Sequence, residues 1–520
     1  FRVTNALVAG GARFVAARHE GGAATMADAY ARLSGTVGAL TVHQGCGLTN
    51  AMTGLTEAAK SRTPLVALAA EATGRRSNFF IDQAAMATAI GAIPARIGSP
   101  DSAVRDATDA FHLAREARRT VLLNLPLAVQ DLEVPSAAVM PPDPPPPPLE
   151  PSGADVARLA TALTAARRPV FLAGRGARSP VAREELIALA DRTGALLATS
   201  AVARGLFHAE EFSLDVSGGF STPLAAELIT GADLIVGWGA SLNMWTMRHG
   251  TLIGEGTVLA QVDTDAEALG ANRPVDVGVQ GDVAEVARAV GVALVEAGHQ
   301  ADGYRSPELA ARIAERSRWR DVPYVDDGGD GLIDPRTLSI GLDDLLPAER
   351  VLAVDSGNFM GYPSMFLSVP DENGMCFTQA FQSIGLGLAT AIGAALAQPG
   401  RLPVAALGDG GALMGIAELE TMVRLGLPMV VIVYNDAAYG AEVHHFSPGG
   451  HPMDTVLFPD TDFAAIGRGF GCDAITVRAA DDLRAVGDWL AGNRDHPLVI
   501  DAKISRTRAS WWLAEAFLGH

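Results

Sequence analysis

The stretch from Gly408 to Asp436, GDGGALMGIAELETMVRLGLPMVVIVYND, constrains this chain more than any other. One apolar run, PVAALG, leads into Asp409, and a second, PMVVIVY, leads into Asn435 and Asp436. Two buried strands joined by one helix predict a right-handed βαβ unit with parallel strands and a shared carboxyl edge. Open α/β sheets bind ligands at that edge. The segment therefore brings two carboxylates and an amide to one rim, beside a glycine turn open enough for a phosphate to approach the backbone. Hard oxygen ligands next to a phosphate-sized gap suit Mg²⁺ bridging the protein to a diphosphate. Taken singly, either acid could equally cap a strand-to-helix turn.

At 520 residues the chain exceeds one ordinary core. Its 48% hydrophobic content indicates buried globular domains. A net charge of -19 argues against nucleic acid and anionic membrane surfaces as partners, while leaving room for an anionic small molecule. Cys46, Cys376 and Cys472 lie far apart without metal spacing, so a reducing, cytoplasmic setting is expected. No apolar run approaches the roughly 20 residues that cross a bilayer. The opening, FRVTNALVAGGARFVAARHE, lacks a signal-peptide layout and reads like the middle of a domain, as if a short N-terminal piece preceded it.

Strand-helix alternation predicts α/β domains with mainly parallel, doubly wound sheets. PPDPPPPP at 141–148 cannot enter a helix or a central strand. It divides a first domain, 1–140, from a middle domain, 151–300, with 141–150 as linker. The irregular run RSRWRDVPYVDDGGDG then leads to a third domain, 330–520.

The first domain carries its own signal in ARFVAARHEGGAATMADAYARLSG. A short strand is expected to lead to Arg18-His19-Glu20, with a helix after the glycine pair and a stop at Gly35. Glu20 then sits where a strand hands over to a helix, at a ligand-binding edge, although a helix N-terminus stabilises any acid there. TVHQGCGLTNAMTGL reads as a strand, a glycine loop and a helix start. Its His43 could move protons or simply bond its own loop.

Together the GDG, the spacer, the Asn-containing pair and the three-part layout resemble the thiamine diphosphate enzymes that include acetolactate synthase, pyruvate decarboxylase and benzoylformate decarboxylase. The resemblance implies that Asp409, Asp436 and the carbonyl of Ala438 hold Mg²⁺. The family usually has Asn where Asp436 stands, an extra charge that Mg²⁺ would offset. Gly408, Gly410, Gly411, Tyr439 and Gly440 correspond to the turns around the cofactor, and Ile384 to the residue that keeps it bent. Glu20 corresponds to the glutamate against the aminopyrimidine ring, where a carboxyl favours the imino tautomer whose nitrogen deprotonates the thiazolium carbon. His43 matches an active-site histidine of benzoylformate decarboxylase. Gln83 matches a glutamine lining the acetolactate synthase site, with Arg96 a downstream cation. Glu442 matches a catalytic glutamate of pyruvate decarboxylases, with His444 and His445 following on different faces of its helix. The Arg- and Trp-containing sequence that acetolactate synthases carry after this turn is absent.

The implied activity is decarboxylation or carboligation of a 2-oxo acid, in a homodimer or homotetramer with sites between chains. Middle domains of such enzymes hold FAD, ADP or nothing. Here SLNMWTMRHG matches the flavin-binding segment poorly, so FAD is not favoured. Two alternatives remain: a hydrolase of cyclic diketones using the same residues, with His43 activating water, and a non-catalytic nucleotide-binding or flavin electron-transfer protein.

Overall fold

The computed structural model describes residues 2–134, 144 and 146–516, so 141–143 and 145 of the expected proline-rich linker lie outside the described residues. Among the described residues three separate sheets appear, and every ladder between their strands is parallel. The first comprises β1 (Gly38–Val42), β2 (Leu65–Glu71), β3 (Ile93–Arg96) and β4 (Thr120–Pro126), ordered β1-β2-β4-β3. The second comprises β5 (Pro169–Ala173), β6 (Leu196–Thr199), β7 (Ser213–Val216), β8 (Leu234–Trp238), β9 (Val258–Asp263) and β10 (Val277–Gln280), ordered β10-β9-β8-β5-β6-β7. The third comprises β11 (Arg350–Val354), β12 (Met375–Phe377), β13 (Leu402–Gly408), β14 (Val430–Asn435), β15 (Asp473–Val477) and β16 (Leu498–Lys503), ordered β12-β11-β13-β14-β16-β15. Continuous apolar runs such as VVIVYN, buried at every position, are what a parallel strand covered on both faces requires.

Strand order reverses between β5 and β8 in the second sheet and between β11 and β13 in the third. At such a reversal the two crossovers leave on opposite sides and open a crevice beyond the carboxyl ends. Asp355 and Asp409 stand at the crevice of the third sheet, Gly174 and Gly239 at that of the second.

The first and third sheets are joined through two helices. Helix α1 (Glu20–Ser34) ends, as expected, at Gly35 in a left-handed conformation, φ 70°. Helix α2 (Cys46–Lys60) follows β1, and a short helix, α3 (Gln83–Ala89), precedes β3. Helix α4 (Gly387–Ala397) is buried over its first nine residues, so its sequence, GLATAIGAALA, is apolar on every face. It packs against α1 so closely that a Cβ on Gly393 would collide with the carbonyl of Met26.

Polar side chains cross the same boundary. The guanidinium of Arg32 lies 2.7 Å from Asp28 and 2.8 Å from Glu57, all three buried. It also donates to the carbonyl of Phe377 in the third domain at 2.9 Å. Glu57 accepts the backbone N–H groups of Ala380 and Phe381 at 3.0 and 2.6 Å. Burial works against ionising Glu57, but Arg32 and these donors outweigh it and hold the carboxyl below its ordinary range. Asp28 is pushed up by burial against the opposing pull of Arg32.

The third-domain βαβ unit departs from expectation in one respect. Its connection is two helices, α5 (Asp409–Met414) and α6 (Glu418–Arg424), broken at 415–417. The short strand expected before Glu20 is also absent. Residues 12–17 run without a sheet partner; the carbonyl of Ala16 accepts from Arg424 on α6, and the N–H groups of Arg18 and His19 just beyond donate to Glu418.

Arg32→Ala should destabilise the protein by about 3–5 kcal/mol, because two buried carboxylates lose their cation. Chemical denaturation measures this, and the deficit should narrow at lower pH as protonation removes the stranded charges.

Candidate active site

Asp409 begins α5 directly after β13, and Asp436 follows β14. Because these strands are register neighbours, with Gly408 paired to Tyr434, the two carboxylates emerge side by side. Burial pushes both carboxyls up, and the charge of Asp409 pushes Asp436 further. Two carboxylates crowded in this way form a hard oxygen donor set that a divalent cation would relieve. Ala437 turns the chain at φ 53°, and the N–H of Ala438 donates to Asp436 Oδ1 at 3.2 Å. Arg506 donates to the backbone carbonyl of Asp436 at 3.0 Å. Tyr439 packs edge-on against Phe458 and covers Gly410, where a Cβ would meet the phenol ring. These features fit Mg²⁺ with a diphosphate above the glycine turn.

Beside this rim, Asp355 follows β11 and is fully buried. Its carboxylate accepts the N–H groups of Ser356 at 2.9 Å, Gly385 at 2.9 Å and Leu386 at 3.3 Å. Burial raises its carboxyl to about 6 against these donors. Asp355 thereby fixes the turn that presents Ile384, where Gly385 has φ 90°. Ile384 itself is only half-buried, at the surface of the crevice rather than inside a core.

In the first domain Glu20 opens α1, capped by His19, whose Nδ1 accepts the N–H of Gly21 at 3.0 Å. Asn50 on α2 donates to Glu20 Oε2 at 3.1 Å. Any Cβ on Gly47 would lie 2.9 Å from the Cβ of His43 and 3.3 Å from Glu20 Oε1, so the glycine loop brings these two side chains to one place. His43 is exposed, edge-on to Phe79, with Nδ1 2.9 Å from the carbonyl of Gln44. That contact puts the proton on Nδ1 and leaves Nε2 as the accepting nitrogen.

Gln83 faces inward instead of lining the crevice. It is 3% exposed, accepts the N–H of Gly45 at 3.1 Å and donates to Asn124 at 2.7 Å. Both ends of its amide are occupied, so it braces the His43 loop from behind. Arg96 pairs with Glu71 at 2.7 Å and is half exposed. Glu442, on helix α7 (Gly440–Phe446), is exposed. His444 is half-buried with its imidazole pushed down by burial, whereas His445 is exposed against Phe446. The two histidines thus face differently, and among the described residues no group of three or more metal-ligating side chains forms.

Asp355 was discoverable in sequence, since VLAV followed by Asp repeats the strand-then-acid pattern of Asp409. Glu57 and Glu418 carried no such mark, because each sits within a helix and its role depends on a residue hundreds of positions away.

In the second sheet's crevice lies a cavity of about 730 Å³ lined by Gly174, Arg175, Gly239, Asp263 and Asp265. Burial, with Arg32 and Arg118 nearby, lowers Arg175 to about 9.

Comparison with known proteins supplies independent findings. Residues 1–89 match the N-terminal TPP binding domain of thiamine pyrophosphate enzymes, 156–290 their central domain and 355–502 their C-terminal TPP binding domain. A probable 2-ketoarginine decarboxylase of Pseudomonas aeruginosa is 30% identical over 490 residues, 91% of this chain and 83% of that protein. An acetolactate synthase large subunit of Parasynechococcus marenigrum is 28% identical over 90% of the chain and 77% of its own length. A sulfoacetaldehyde acetyltransferase of Rhodobacter capsulatus is 26% identical over 93% of the chain and 86% of its own length.

Dialysis against EDTA should release bound thiamine diphosphate, and added Mg²⁺ should restore binding. Cofactor retained without any divalent ion would contradict the pairing of Asp409 with Asp436.

Proposed function

We infer the reaction from one premise: this chain belongs to the thiamine pyrophosphate-dependent enzymes, with their N-terminal, central and C-terminal domains in order. We propose that it breaks the carbon–carbon bond beside the carbonyl of a 2-oxo acid with loss of CO₂, then protonates the product or transfers it to a second carbonyl. The carrying observation is the presence of two complementary rims, Glu20 with Asn50 at one and Asp409 with Asp436 at the other.

When bound, thiamine diphosphate supplies an acidic ring carbon and an electron sink. Asp409, Asp436 and the carbonyl of Ala438 would hold Mg²⁺, which would offset the diphosphate charge. Gly408, Gly410 and Gly411 let the turn pass close to Phe359, Tyr439 and Asp355, as Gly440 lets the chain pass Asp436, and the backbone of that turn would face the phosphates. Ile384, half-buried at the crevice, would buttress the cofactor between its two ends. Glu20 holds the proton at the pyrimidine nitrogen, and Asn50 orients its carboxyl. The Nε2 of His43 accepts or returns a proton at the substrate, with Glu442 on α7 as the second proton handler.

A second chain completes the site in this reading. Phe14, Phe79, Phe381, Phe446 and Phe458 are each more than 40% exposed, apolar side chains that another copy would cover in this reading. The cavity of the second sheet supports a nucleotide diphosphate such as FAD or ADP more than the sequence suggested, because SLNMWTMRHG contributes to its lining and Arg175 supplies a half-buried cation. A cytoplasmic location accords with three free cysteines. Among the described residues no helix is long and apolar enough to cross a membrane.

A panel of 2-oxo acids assayed for CO₂, with and without acceptor aldehydes, should identify at least one substrate, and Glu20→Gln should abolish its turnover. Cleavage of a diketone without CO₂ release would favour the hydrolase instead.

A further inference from the structure

The segment that delivers Glu20 belongs to no sheet, so its backbone groups need partners from elsewhere. They find them in the third domain. The N–H of His19 donates to Glu418 Oε1 at 2.9 Å, and the N–H of Arg18 donates to Oε1 and Oε2 at 3.2 and 3.3 Å. Glu418 is only 2% exposed, and its Oε2 also accepts the hydroxyl of Thr421 at 2.6 Å. The carboxylate lies so near the first turn of α1 that a Cβ on Gly22 would collide with it.

Flanking contacts follow the same path. The Arg18 guanidinium pairs with Glu420 at 2.5 Å, and Arg424 reaches the carbonyl of Ala16. Three side chains of α6 therefore grip consecutive parts of 16–19, and the buried one acts on the two residues immediately before Glu20.

We propose that Glu418 is a positioning residue for Glu20, a role that rests on the reading of Glu20 given above. A buried carboxylate accepting two backbone N–H groups fixes the entry to α1 more stiffly than exposed ion pairs can. It sets where the Glu20 carboxyl stands without touching cofactor or substrate. The diphosphate end of the site keeps its own ligands when Glu418 is altered, so cofactor affinity and proton exchange separate.

The test uses full-length protein with Mg²⁺, carrying Glu418→Ala or Glu418→Gln. Thiamine diphosphate affinity is read by tryptophan fluorescence, and exchange of the thiazolium C2 proton by NMR after acid quench. Glu418→Ala should keep affinity within about threefold while slowing exchange about 10²-fold, the cost of a displacement near 1 Å. Glu418→Gln retains an acceptor oxygen and should restore part of that rate. If the alanine variant does not fold, slower exchange at unchanged affinity in the glutamine variant supports the proposal. Exchange at the wild-type rate in the folded variants overturns it, as does an equal fall in affinity and exchange, which would mark Glu418 as domain glue. Glu20→Gln separates the two levels. If it stops exchange and the Glu418 variants do not, only the Glu418 role fails; if exchange survives it, the Glu20 reading fails too.

Discussion

The boundary between the first and third domains is the constraint on which the rest depends. It is closed by apolar helix packing of α1 on α4, and crossed by buried carboxylates in both directions. Glu57 leaves the first domain to hold Ala380 and Phe381, and Glu418 leaves the third to hold Arg18 and His19. Hydrogen bonds to charged groups contribute about 1.5–3 kcal/mol each, and a buried acceptor stripped of its donors costs at least as much. Each clasp therefore favours one arrangement of its loop strongly. The loops so held are the approach to Glu20 and the segment leading to Ile384.

The arrangement assigns different jobs to different depths. Side chains proposed to meet a ligand, such as Glu20, His43, Ile384 and Tyr439, are at least partly exposed. Those that fix them, Glu57, Gln83, Asp355 and Glu418, are buried and fully bonded. Pre-organisation of this kind moves the cost of ordering loops into folding, so that it is not charged against binding. The second sheet contributes a separate crevice. Gln379 and Gln382, in the segment that leads to Ile384, reach its cavity.

Much of this was legible in sequence wherever the signal was local. Apolar runs ending in Asp or Asn gave β13, β14 and the paired carboxylates, and Gly35 marked the end of α1. Glu20 was located correctly at a helix start, but the strand drawn before it was wrong. An extended, partly apolar stretch looks the same whether its N–H groups bond to a sheet or to a carboxylate 399 residues away. The break between α5 and α6 escaped notice because Gly415 sits in an otherwise helical pattern. Gln83 was expected to line the site, yet it turns inward to Asn124 and Gly45, which no periodicity connects.

The most direct test of these pre-formed clasps is amide hydrogen exchange on the wild-type protein without cofactor. Peptides spanning 16–22 and 378–387 should exchange slowly at Arg18, His19, Ala380, Phe381, Gly385 and Leu386, at rates close to those of β13. Rapid exchange at those six amides, slowed only on adding thiamine diphosphate and Mg²⁺, would mean that the ligand and not the buried carboxylates orders the site.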